Sequence, residues 1–125
     1  MARLVLVADD NSDNILLIKR ILRRSGLDLE YLEAHGGEEA VKLATDRMPE
    51  LILLDMKMPD MDGYQAAAAL RASDATKHIP LVAVTAQAMI GDREKAIEAG
   101  CDEYLAKPID PLQLMATVKK YLADK

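Results

Sequence analysis

Three short apolar runs, at residues 4–7, 51–54 and 81–84, recur along the chain, and each leads through a polar turn into a longer stretch of helical period. A run of four apolar residues without polar alternation suits a strand covered on both faces, as in a parallel sheet. Residues 29–33 and 103–106 mix apolar with charged positions, which suits strands nearer the sheet edges. Between these runs the pattern predicts helices at about 13–25, 38–47, 64–72, 92–99 and 111–123. Gly26 and Gly100 stand where helices would stop, and Asp110 precedes Pro111 as an N-cap precedes a first-turn proline. On the first helix, Leu17, Ile18, Ile21 and Leu22 read as the inward stripe, while Leu16 projects among Lys19, Arg20 and Arg23. On the last, Met115, Val118 and Leu122 read as inward, with Lys119, Lys120 and Lys125 solvated. Five βα units predict one α/β domain over residues 1–125, a doubly wound parallel sheet with helices on both faces.

Composition narrows the function. Half of the 125 residues are hydrophobic, enough for a real core, and with neither Phe nor Trp that core must be aliphatic. The lack of those rings also removes a stacking platform for nucleic acids, and a net charge of −5 with scattered Lys and Arg offers no basic face. No apolar run reaches membrane-spanning length, and the first residues carry no signal-peptide pattern, so a cytoplasmic location without membrane attachment is expected. A single cysteine, Cys101, permits no internal disulfide and no thiolate cluster. His35 and His78 lie far apart beside turn signals and read as surface residues rather than metal ligands.

In open parallel sheets, chemistry gathers at the carboxyl ends of the strands. Here those ends carry Asp9-Asp10, Asp55, Thr85 and Lys107-Pro108. Each residue alone has an ordinary explanation as a helix cap or a solvated side chain. Together they bring three carboxylates, a hydroxyl and an ammonium to one edge. Crowded carboxylates either hold protons or require a cation, and a donor set of oxygens alone suits Mg²⁺, which keeps waters for phosphate oxygens. The edge thus reads as a site for phosphoryl chemistry.

Four blocks, Val7-Ala8-Asp9-Asp10-Asn11, Leu54-Asp55-Met56-Lys57-Met58-Pro59-Asp60-Met61-Asp62-Gly63, Val84-Thr85-Ala86 and Lys107-Pro108, resemble response-regulator receiver domains in order and spacing across essentially the whole chain. The resemblance, closest in kind to the single-domain chemotaxis and cell-cycle regulators, implies a flavodoxin-like sheet of strand order 2-1-3-4-5. It implies Asp55 as the phosphoacceptor, attacking a phosphohistidine of a histidine kinase or histidine phosphotransfer protein. Asp10, Asp55 and the Lys57 backbone carbonyl would bind Mg²⁺, with Asp9 orienting a metal-bound water or ligating directly, and Lys107 neutralising the transferring group. Thr85, with small Ala86 beside it, and Tyr104 would be the switch, although Tyr104 also reads as a static half-buried tyrosine. Lys107-Pro108 would be a cis peptide. Lys57 and Gln87 occupy positions that tune the phosphoryl lifetime. Ala8 replaces the bulkier apolar or acidic residue often seen before the acid pair, with no evident chemical consequence. Leu16 and Pro108 are candidate docking residues, although Leu16 reads more readily as an ordinary exposed leucine. The fourth helix, the strand bearing Tyr104 and the fifth helix would form the face that meets a downstream protein target.

Two other functions compete. A phosphatase of the haloacid dehalogenase kind would have a second acid two residues after the nucleophile, where this chain has Lys57. A receiver-like module binding partners without phosphorylation usually loses an acid or the lysine, and all are kept here. No Gly-rich phosphate loop supports nucleotide binding. The expectation is therefore a phosphoacceptor switch rather than a metabolic enzyme. Met1 and a helix reaching Ala123 suggest a complete chain rather than a receiver excised from a hybrid kinase.

Overall fold

In a computed structural model, which describes residues 2–58, 60–86 and 91–122, each apolar run becomes a strand and each periodic stretch a helix. In chain order the elements are β1 (Arg3–Ala8), α1 (Ser12–Arg23), β2 (Leu29–Ala34), α2 (Gly37–Arg47), β3 (Leu51–Leu54), α3 (Gly63–Ala72), β4 (Leu81–Thr85), α4 (Asp92–Ala99), β5 (Glu103–Ala106) and α5 (Pro111–Leu122). The sheet has the order β2-β1-β3-β4-β5, and each neighbouring pair is parallel. The strands built on the continuous apolar runs, β1, β3 and β4, are the central ones, and the mixed strands β2 and β5 are the edges. The last predicted helical residue, Ala123, lies outside the described residues, as do Lys125 and Gln87.

Because side chains alternate across a strand, the central strands feed two cores. Leu6, Ala8, Ile52, Leu54 and Ala83 face one way, against Ala40 and Ala44 of α2, Ala66, Ala67 and Leu70 of α3 and Ala96 of α4. Val5, Val7, Leu51, Leu53, Val82 and Val84 face the other, against Ile15, Ile18 and Leu22 of α1 and Leu114, Val118 and Leu122 of α5. Alanines at the helix contacts let α2 and α3 approach the sheet closely, while larger side chains fill the α1–α5 layer.

Two helix faces differ from expectation. On α1, Ile15 is buried and Leu17 is 44% exposed, because Ile15, Ile18 and Leu22 follow the i, i+3, i+7 stripe that faces the sheet and Leu17 falls on the next face. On α5, Leu114 and Thr117 join Val118 and Leu122 in the buried stripe, and Met115 is half-buried at its margin. Leu16 is exposed, as predicted, and Lys119 and Lys120 are solvent-facing, Lys120 pairing with Glu103. Gly26 and Gly100 both adopt positive φ, 82° and 119°, the left-handed conformation that glycine accepts without strain. No helix among the described residues is long and apolar enough to cross a membrane.

Candidate functional site

The register of the three central strands sets the site. Ala8 pairs with Leu54, and Asp55 N–H donates to the Ala8 carbonyl at 2.9 Å, so the residues following β1 and β3 emerge side by side. Asp9, Asp10 and Asp55 consequently form a cluster in which one carboxylate oxygen from each lies within 4.8 Å of the others. Asp9 and Asp55 are buried and Asp10 is exposed. Asn11 ends the turn by accepting from Asp13 N–H with its side chain and capping α1, while its own N–H donates to Asp9 Oδ1 at 2.9 Å.

Lys107 arrives from the far edge. Its N–H donates to the Thr85 carbonyl at 2.9 Å, which extends the β4–β5 ladder one residue past the strands, and the Lys107–Pro108 bond is cis, as expected. The ammonium then donates to Asp9 Oδ2 at 2.8 Å and to Asp55 Oδ2 at 3.2 Å. Asp55 Oδ1 accepts from Lys57 N–H at 3.0 Å, so both oxygens of Asp55 are oriented. Thr85 is fully buried at the end of β4 beside this group. Tyr104, paired in register with Ala83 one strand over, is half-buried with its ring against the α2–α4 core.

Charge decides the chemistry. Burial pushes the Asp55 carboxyl above its ordinary range and the neighbouring Asp9 adds to that, while Lys57 N–H and the Lys107 charge pull it back. Burial works against the Lys107 ammonium, yet its hydrogen bond to Asp9 and the charges of Asp55 and Asp9 outweigh it, and its pKa is raised. Lys107 therefore stays charged, one ammonium against three carboxylates. That imbalance, an all-oxygen donor set and an exposed Asp10 fit a hard divalent cation. The Lys57 side chain is exposed while its backbone is held at the site, which leaves its carbonyl as a further candidate ligand.

Of the predicted site residues, Asp9, Asp10, Asp55, Thr85 and Lys107 come together at one sheet edge with Lys57 beside Asp55, whereas Tyr104 lies within β5, Leu16 lies on α1 and Gln87 lies outside the described residues. The structure adds an apolar groove of about 410 Å³ between α1 and α5. Leu17, Ile21, Ile109, Leu112 and Met115 line it, with Arg20 at the rim. Leu112 is 74% exposed, and its place off the Leu114–Val118 stripe is the sequence signal that could have found it. Leu16 is exposed on α1 and Pro108 in the turn before α5.

A five-stranded parallel sheet of this order, with an acidic triad and a lysine at its carboxyl edge, defines a receiver-type α/β protein. Residues 5–119 match the response regulator receiver domain, and the chain belongs to that family. It is 37% identical to the polar-differentiation response regulator DivK of Brucella anthropi over 124 residues, 99% of each chain. Among solved structures it resembles a putative response regulator from Chloroflexus aurantiacus J-10-fl (TM-score 0.90, 32% identity, 98% of this chain and 99% of that one). It also resembles the receiver domain of a sensor histidine kinase from Pseudomonas aeruginosa PAO1, crystallised with a magnesium ion coordinated in its active site cleft (TM-score 0.87, 32% identity, the same coverage). The chain is thus a response regulator receiver of a two-component system.

Proposed function

We propose that residues 1–125 act as one cytoplasmic receiver domain that takes a phosphoryl group from a phosphohistidine of a histidine kinase or histidine phosphotransfer protein onto Asp55. The observation that carries this reading is the Lys107 ammonium shared between Asp9 and Asp55, with Asp10 alongside. A buried carboxylate whose charged form is disfavoured by desolvation becomes an effective nucleophile only when positive charge is supplied as it reacts. In the transfer, an Asp55 oxygen forms a bond to phosphorus as the donor's N–P bond breaks, and the electron pair remains on the imidazole nitrogen. Lys57 N–H holds the carboxylate orientation, and Lys107 can leave its shared position to meet charge on the equatorial oxygens. Mg²⁺, held by Asp10, Asp55 and the Lys57 carbonyl with Asp9 adjacent, would neutralise the oxygens of the transferring group. The magnesium-bound Pseudomonas receiver supports that assignment.

After transfer, Thr85 turns its hydroxyl toward the new phosphoryl oxygens and Tyr104 follows by changing rotamer, altering the α4–β5–α5 face on which Ile97 is already exposed. That face meets the downstream protein target. Lys57 and Gln87 set how quickly water reverses the step, so the protein is a switch rather than a metabolic enzyme. The histidine-bearing helices of the donor dock on the α1–α5 groove, where Leu17 and Leu112 offer exposed apolar contact beside Arg20, and Leu16 of α1 and Pro108 before α5 are also exposed.

Beryllium fluoride, which mimics an aspartyl phosphate, tests the switch. With Mg²⁺ it should shift the amide resonances of Asp55, Thr85, Tyr104 and Lys107 together in a two-dimensional NMR spectrum. An unchanged spectrum at saturating fluoride would contradict the reading.

A further inference from the structure

We propose that Asp60 is a positioning residue: by capping α2 from across the site, it fixes the β3–α3 loop that carries Lys57. The inference rests on the receiver reading and assigns a role to an exposed acid outside the cluster. Helix α2 begins at Gly37, and its N-cap, Gly36, has no side chain with which to satisfy the first amides. Asp60 supplies the missing acceptors from another loop. Its Oδ1 accepts from Gly37 N–H at 3.0 Å and its Oδ2 from Glu38 N–H at 3.3 Å. A carboxylate at a helix N-terminus is also favoured by the helix dipole.

Two glycines are shaped around this contact. A Cβ at Gly36 would lie 2.6 Å from Asp60 Oδ1, and one at Gly37 would lie 2.0 Å from the Met61 carbonyl oxygen. Gly36 is extended at φ −162°, a conformation any residue adopts, so space and not backbone freedom is what a side chain would violate. The loop is tied at its base as well. Gly63 N–H donates to the Met56 carbonyl at 3.0 Å, and Met58 is buried. Lys57 lies between base and tip, and its N–H orients Asp55 Oδ1. Releasing the tip loosens the stretch on which that N–H and the Lys57 carbonyl both depend.

A residue that only capped α2 would affect stability alone, and a paired variant separates the two roles. Asp60→Ala removes the clamp. Adding Gly36→Ser gives α2 a local cap, since the extended backbone suits an N-cap serine and the three atoms nearest a Cβ there all belong to the Asp60 carboxylate. The full chain is titrated with Mg²⁺ by amide chemical shifts, well below every melting midpoint, and melted in parallel. Expected is Mg²⁺ binding about tenfold weaker in Asp60→Ala and still weaker by that factor in the double variant, although its melting midpoint recovers. Mg²⁺ affinity within twofold of wild type in either variant would overturn the clamp and leave Asp60 a helix cap. Failure of the wild type itself to bind Mg²⁺ would overturn the receiver reading, and the clamp's role with it.

Discussion

Lys107 carries more of the site than any other single residue, because one ammonium holds two buried carboxylates that would otherwise repel each other. That arrangement leaves Asp55 oriented at both oxygens, and on the proposed reading its reactivity depends on further positive charge. Cys101 is the opposite case, a potentially reactive group made inert by its surroundings. It is buried at the start of β5's approach, and burial pushes its thiol up to about 11, with Arg71 opposing and Asp102 adding. Since the thiolate is the reactive form, native protein at pH 8 should react with a thiol reagent about a hundredfold more slowly than unfolded protein from ionisation alone. Labelling rates with and without urea check this, and equal rates would contradict the buried placement. The folded thiol's pKa lies above its unfolded value, so its neutral form contributes fully below about pH 9 and that contribution declines as pH rises toward 11.

At the scale of elements, the loops after β1, β3 and β5 deliver the site, and the α1–α5 layer delivers the groove. Leu17 and Leu112 should matter for the protein donor and not for the chemistry. Leu17→Glu with Leu112→Glu is expected to slow transfer from a phosphorylated histidine phosphotransfer domain at least about tenfold, while labelling by acetyl phosphate stays within twofold of wild type. A parallel loss with both donors would place these residues in the fold or the site instead. The sequence did not disclose this surface fully. Leu16 was legible as an outlier among basic residues, but Ile15 and Leu17 are both apolar and two apart, and only the sheet decides which of them faces it. The α2 cap was hidden for another reason. Its donor and acceptor are 22 and 23 residues apart, and no local period connects a glycine pair to an acid in a distant loop.

Across the whole molecule, the apolar runs made β1, β3 and β4 legible as central strands because burial on both faces leaves no place for polar residues. The order of the strands was legible only through the resemblance of the four motif blocks, since periodicity gives no neighbour relations. The site followed from the same topology: once β1, β3, β4 and β5 are parallel neighbours, Asp9, Asp10, Asp55, Thr85 and Lys107 must share an edge. The spacing of charges on that edge, with Lys107 bridging Asp9 and Asp55, was beyond sequence reading because it depends on side-chain placement. The central claim, that this edge makes Asp55 a phosphoacceptor, is tested most directly by intact mass after incubation with Mg²⁺ and acetyl phosphate. The wild type should gain one phosphoryl group, lose the gain when Mg²⁺ is chelated beforehand, and show none in Asp55→Asn. A wild-type mass that does not change, or an equal gain in Asp55→Asn, would contradict it.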